Sequence, residues 1–137
     1  MSESNLFPYI LALLNGDPVR GKTKTVLQLF LIAKDIIRDS VDFKFFPHMF
    51  GPYSSIVAEQ FNSLIEQGHV VFSKSGNTFL FELTESGQEL FKQCGQDKEI
   101  TKKIQVLKKT TAKHRVKDML DIIWTKYPEY MINAWGY

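Results

Sequence analysis

Phe7, Ile10, Leu11 and Leu14 stand at i, i+3, i+4 and i+7, the spacing that gives a helix one apolar face. Ser4 is placed to cap that helix, Pro8 falls in its first turn, where a missing N–H is tolerated, and Gly16 ends it. A second helix is expected from about Thr23, with Val26, Phe30, Ala33 and Ile37 on one stripe and Leu27 and Leu31 widening it. So broad a face marks the most buried helix of a fold. Asp39 to Asp42 reads as a turn, and Phe43 to Phe46 as a short aromatic strand. Phe50-Gly51-Pro52-Tyr53-Ser54 then supplies turn residues and a cap. Ser54 or Ser55 opens a third helix with Val57, Phe61, Leu64 and Ile65 inside and Gly68 at its end.

The period next drops from 3.6 to 2. Val70 to Ser73 and Thr78 to Leu83 flank Lys74-Ser75-Gly76-Asn77 and predict an antiparallel hairpin. Thr84 caps a fourth helix with Leu83 as its staple, Leu90, Phe91 and Cys94 inward, and Gly95 closing it. Asp97 opens a lysine-rich helix whose apolar positions are Ile100, Ile104 and Leu107. Val116, Leu120, Ile123, Trp124 and Tyr127 define a last face that stops before Pro128. Periodicity leaves open whether these are one helix bent at Thr110-Thr111 or two helices. The order helix, helix, short strand, helix, hairpin is that of a winged helix-turn-helix with additional C-terminal helices, mainly α with a small antiparallel β-hairpin. Residues 1–96 form the expected core. Residues 97–137 form a helical extension packed on it or building a dimer interface, within a single structural domain.

A chain of 137 residues with 44% hydrophobic and 23% charged side chains is an ordinary globular sequence, which excludes collagenous and disordered classes. The single Cys94 makes no internal disulfide and suits a reducing compartment. No apolar run approaches membrane-span length and Met-Ser-Glu-Ser-Asn lacks the basic start of a signal peptide, so a cytoplasmic protein with no membrane partner is expected. The net charge of +2 says little, but its distribution says more. Of 17 Lys and Arg, eight lie in 98–117, where Glu99 is the one acidic residue. The segment 20–92 is balanced at eight of each sign.

Arg20-Gly21-Lys22-Thr23 leading into Leu27-Gln28-Leu29-Phe30, then Phe50-Gly51-Pro52-Tyr53-Ser54, then Leu83-Thr84-Glu85-Ser86-Gly87, resemble a loose group of uncharacterised bacterial and archaeal winged-helix proteins. The same signature is similar to the Panacea domain, which in its family acts as the antitoxin of toxin–antitoxin pairs by protein contact. The resemblance covers residues 5–92, with Tyr127-Pro128-Glu129-Tyr130 as a further echo. It implies a winged-helix scaffold and either DNA binding or protein neutralisation.

Gly16-Asp17-Pro18-Val19-Arg20-Gly21-Lys22-Thr23 satisfies the phosphate-loop pattern G-x-x-x-x-G-K-[ST]. Such a loop follows a strand of a parallel sheet, whereas Phe7 to Leu14 has helical spacing, and the apolar run Leu29 to Asp35 that would carry the second acidic motif lies inside a helix. The simpler reading is a helix N-terminus where Arg20, Lys22 and Lys24 hold an anion or a DNA phosphate. His48, His69 and His114 show no metal-ligand spacing, Cys94 is single, and no nucleophile motif occurs, so a non-enzyme without cofactor or metal is expected.

The leading expectation is therefore a regulatory protein that binds double-stranded DNA, dimeric through its C-terminal helices. Its candidate contacts are Arg20, Lys22 and Lys24, then Ser55, Gln60 and Asn62 on the third helix, and Lys74 and Asn77 on the wing. To these a stripe of Lys98, Lys102, Lys109 and Lys113 adds phosphate charge over about 20 Å if the helix is continuous. If a new helix starts at Thr111, Lys113, Arg115 and Lys117 crowd its N-terminus. Against DNA stands the absence of Lys and Arg from Ser54 to Gly68, where Glu59 and Glu66 would approach phosphates. The alternative is a protein-interaction module, antitoxin-like or adaptor, on the same scaffold. The exposed aromatic turn Phe50-Gly51-Pro52-Tyr53 and the apolar C-terminal stretch supply its candidate interface, with Trp124, Trp135 and Tyr137 as anchors, unless the stretch folds back on the core.

Overall fold

Helix α1 (Phe7–Leu14) is apolar nearly all round, and Ile10 to Leu14 are all buried. The computed structural model describes residues 5–94 and 97–136, so Ser4, Gly95 and Tyr137 lie outside the described residues. Asn5 Oδ1 accepts from Phe7 N (3.1 Å), and the helix hands over at Asn15 to Gly16, whose φ is +87°. A two-residue strand, β1 (Val19–Arg20), follows, an element the spacing of apolar residues did not predict. It is found only through its partner, because it pairs with a strand some sixty residues later.

Helix α2 (Lys22–Leu31) runs without a break into a π-helical turn, Ile32–Ile36. As the broad stripe foretold, this is the buried axis: Leu27, Leu29, Phe30, Leu31, Ile32 and Ala33 are all inaccessible or nearly so. Arg38 and Asp39, at φ of 54° and 58°, turn the chain out. The expected strand at Phe43–Phe46 forms only from its last residue. Asp42 Oδ1 accepts from Lys44 N (2.8 Å) and Lys44 takes φ of 55°, an Asx-type turn that breaks extension there. Pairing begins instead with β2 (Phe46–His48) against β3 (Gly51–Tyr53), a hairpin where turn residues alone were expected. Gly51 is required at its place: at φ of 99° its backbone lies so near α6 (Val116–Lys126) that a Cβ would come 2.7 Å from Leu120 Cδ2.

Ser54 caps α3 (Ser55–Glu66), its Oγ accepting from Val57 N (3.2 Å) and donating to Phe43 O (2.5 Å). The hairpin of β4 (Val70–Ser75) and β5 (Thr78–Leu83) is longer than its apolar runs, leaving Gly76-Asn77 as the two-residue loop. With β1 it makes an antiparallel sheet in the order β1-β5-β4. Thr84 caps α4 (Glu85–Gln93), accepting from Gly87 N (3.1 Å), and Asp97 caps α5 (Lys98–Thr110), accepting from Glu99 and Ile100 N.

The open question at Thr110-Thr111 is answered by two helices. α5 ends at Thr110 and α6 begins at Val116. Lys113 therefore sits in the connector, and the lysine stripe is shorter than a continuous helix would make it. The crowded α6 N-terminus carries its own counter-charges: Asp118 accepts from Arg115 N (2.9 Å), which holds its carboxyl below the usual range, and Asp121 lies 3.7 Å from Lys117. α5 packs on α1 around Ile104, and α6 packs on α2, where Met119 and Ile123 join Leu27, Phe30 and Leu31 in a second core. After a 3-10 turn at Pro128–Tyr130, Met131 and Ala134 return to that core, the folding back weighed for the tail. The fold among the described residues is thus mainly helical, with six α-helices and two small antiparallel sheets. No helix of theirs is long and apolar enough to cross a membrane.

Two tests follow from this packing. Replacing Gly by Ala inside a helix normally gains about 1 kcal/mol, but a Cβ on Gly87 would lie 2.0 Å from His69 O. Gly87→Ala is expected to destabilise by about 2 kcal/mol in urea denaturation, the cost of overpacking. The second concerns Tyr127, whose hydroxyl donates to Asp35 on the π turn. Burial, then that hydrogen bond and the Asp35 charge, raise the phenol's pKa. The folded state keeps the proton when the unfolded chain begins to lose it near pH 10, so this contribution is intact below about pH 10 and declines above it. Urea titrations at about pH 8 and about pH 10.5 should show wild type losing more stability than Tyr127→Phe.

Candidate functional site

The hairpin β4–β5 reaches past the core, and its inward face changes character along the way. Val70 opposite Leu83 is buried, Phe72 opposite Phe81 is half covered, and Lys74 opposite Phe79 is exposed. Because side chains alternate along strands, all six lie on one face. Phe61 of α3 meets Phe81 with ring centres 5.0 Å apart, and Phe72 meets Phe79 at 5.6 Å. Between α3 and this face runs an apolar groove of about 470 Å³ floored by Phe61, Ile65, Phe72, Phe79 and Phe81. Lys22, Asn62 and Glu66 complete its lining, one charge of each sign. Phe72 is 50% exposed and Phe79 43%.

The candidate DNA-contacting residues do not form one surface. Gln60 is committed to the fold: its Oε1 accepts from Leu6 N (2.7 Å) and fastens α3 to α1. Ser55 and Asn62 are exposed on α3, and Lys74 and Asn77 are exposed at the hairpin tip. Lys24 is corrected from a surface cation to a buried one, its Nζ donating to Ala112 O (3.0 Å) in the α5–α6 connector. Arg20 reaches the loop end of the hairpin, donating to Ser75 Oγ (3.3 Å). Lys98, Lys102 and Lys109 are exposed along α5, whereas Lys113 is exposed in the connector. The structure brings Arg20, Lys24 and Lys109 to one cavity and Lys22 and Asn62 to the apolar groove.

A second exposed aromatic group lies on β2–β3 and the tail. Trp135 N donates to Met49 O (2.9 Å), and its ring meets Phe50 at 5.9 Å while remaining 73% exposed. Phe46 and Met49 are exposed nearby in the chain, and Trp124 is exposed on α6. Among the described residues no group of three or more His, Cys, Asp or Glu gathers as for a metal. Burial raises the pKa of Cys94, away from thiolate reactivity. The phosphate-loop letters do not make a phosphate loop: a helix precedes them, and Val19–Arg20 within them belongs to an antiparallel sheet.

No family model and no curated protein matches this chain. The groove's aromatic residues and Lys108 escaped the reading of the sequence. The signal for Lys108 was present, since it lies four residues after Ile104 and so on the buried face of α5. For Phe72 and Phe79, period-2 alternation gives the face but not where the core beneath it stops.

Replacing Gln60 leaves the Leu6 N–H without its partner. Gln60→Ala is expected to lower stability by about 1–2 kcal/mol in urea denaturation, an effect a base-reading side chain on an exposed face would lack.

Proposed function

We propose that the chain is a non-enzymatic protein-interaction module, antitoxin-like or adaptor, built on a winged helix with added C-terminal helices. The winged-helix assignment rests on the order α1-β1-α2-α3-β4-β5, with the β2–β3 hairpin inserted between α2 and α3, and on β1 pairing with the β4–β5 hairpin in the order β1-β5-β4. It works in the cytoplasm, a setting that the single half-buried Cys94 suits.

The observation that carries the reading is the apolar groove between α3 and β4–β5. In a winged helix this is the face that approaches DNA, with the helix in the major groove. Here α3 carries Glu59, Asn62 and Glu66 outward and no Lys or Arg, and the hairpin shows Phe72 and Phe79. Such a face offers phosphates little charge but offers an apolar segment of a partner protein a large area of aromatic contact. DNA binding is the second reading, favoured by the exposed stripe of Lys98, Lys102 and Lys109. It would use α5 rather than α3.

Two measurements separate them. Wild type used as bait should retain one stoichiometric protein that Phe72→Ser/Phe79→Ser loses, and sedimentation of both forms should agree. Dimerisation abolished by that variant would make the occupant a second copy. Fluorescence anisotropy with random duplex DNA should show no binding at about 50 mM salt. Binding that collapses by about 300 mM salt, with a slope flattened by Lys102→Glu/Lys109→Glu, would overturn the protein-partner reading in favour of DNA.

A further inference from the structure

On the far side of β5 from the apolar groove, a cavity of about 270 Å³ opens between β1, α2 and the second half of α5. Arg20, Lys24, Lys108 and Lys109 line it, and Asp17 at its edge is its one carboxylate. None of the four cations is in a salt bridge among the described residues. Lys24 and Lys108 are 9% and 8% exposed. Lys24 Nζ donates to Ala112 O, and Lys108 Nζ donates to Asn15 O (3.1 Å) and Asp17 O. An ammonium has three N–H donors, so two remain on Lys24 and one on Lys108. Burial and the neighbouring Arg20 lower the pKa of Lys24, and burial lowers that of Lys108 against the pull of Asp17. These are the marks of desolvated cations short of counter-charge.

A second observation points independently to a ligand. Gln28 also lines the cavity and is 2% exposed. Its Nε2 donates to Thr111 Oγ1 (3.0 Å), whose hydroxyl donates to Leu107 O (2.8 Å), and this chain fixes the orientation of the amide. Gln28 Oε1 is then a buried acceptor without a partner. Such an orphan is costly unless a donor meets it.

We propose that this cavity binds a small phosphomonoester that carries a hydroxyl group. The phosphate dianion meets Arg20, Lys24, Lys108 and Lys109, with a guanidinium fork suited to two of its oxygens. Gln28 Oε1 is enclosed as it stands, and a turn of the side chain toward the cavity lets a ligand hydroxyl donate to it. The volume lies just below that of pockets for drug-sized ligands, which suits a sugar phosphate rather than a nucleoside triphosphate. Lys22 and Thr23 do not line the cavity, so this is not the phosphate-loop arrangement that the sequence letters suggest.

Isothermal titration of the full chain with ribose 5-phosphate, ribose and inorganic phosphate tests the assignment. Ribose 5-phosphate should bind about tenfold tighter than inorganic phosphate, and ribose should not bind detectably. Arg20→Ala/Lys109→Ala, both at exposed positions, should weaken ribose 5-phosphate by about tenfold or more while the circular dichroism spectrum is retained. Absence of ribose 5-phosphate binding at millimolar concentration would overturn the proposal, as would affinity undiminished in the double variant. Equal affinity for ribose 5-phosphate and inorganic phosphate would overturn the assignment of ligand class.

Discussion

Two buried polar side chains of α2, Lys24 and Gln28, anchor the C-terminal third of the chain. Gln28 donates to Thr111 and Lys24 to Ala112, both in the break between α5 and α6. Burying an amide and an ammonium is unfavourable unless their hydrogen bonds are made. The interruption at Thr111–Arg115 leaves the Ala112 carbonyl free for Lys24, whereas backbone carbonyls inside a helix are already spent. The break is thereby fixed in place, and with it the direction in which α6 leaves. Met119 and Ile123 then fall on Leu27, Phe30 and Leu31, and Met131 and Ala134 close the second core from the tail. Asp35 on the π turn holds the far end of α6 through Tyr127 and Lys126. The aromatic cluster around Phe30, in edge contact with Phe45, Tyr127 and Tyr130, depends on the same placement.

This use of the C-terminal helices narrows what is left for recognition. The inner faces of α5 and α6 are occupied by the two cores, and Lys108 and Lys24 are turned inward. The sides of β5 now differ sharply. One presents aromatic rings beyond the edge of the first core, and the other closes a cationic cavity with Leu80 against Arg20. A protein partner on the first and a phosphorylated small molecule on the second would share a single strand.

Most helix starts were legible because caps are local chemistry. Ser54, Thr84 and Asp97 each accept from backbone N–H groups two or three residues on, as their side chains and positions imply. The hairpin β4–β5 followed from period-2 alternation around a turn. Strand β1 was not legible, because two residues carry no period and its reason for being extended lies at Leu80 and Phe81. Nor was the β2–β3 hairpin, whose Gly51 serves both a turn and the close approach of α6. The break at Thr111 depended on which residues of α2 would be buried polar, and Gln28 and Lys24 look like ordinary helix-surface residues until a partner is supplied. For the same reason Arg20, Lys24 and Lys109 were picked as surface cations, while their convergence with Lys108 and Gln28 required the tertiary fold.

If the buried bonds of Lys24 and Gln28 make α6 part of one cooperative structure, its amides must open only when the whole chain does. Native-state hydrogen exchange read at Met119 and Ile123 of α6 and at Leu13 and Leu14 of α1 tests this most directly. The account predicts the same opening free energy for both sets, equal to that of global unfolding. Exchange of the α6 amides through a distinctly lower-energy opening, with α1 still protected, would contradict it and make the C-terminal helices an appended unit.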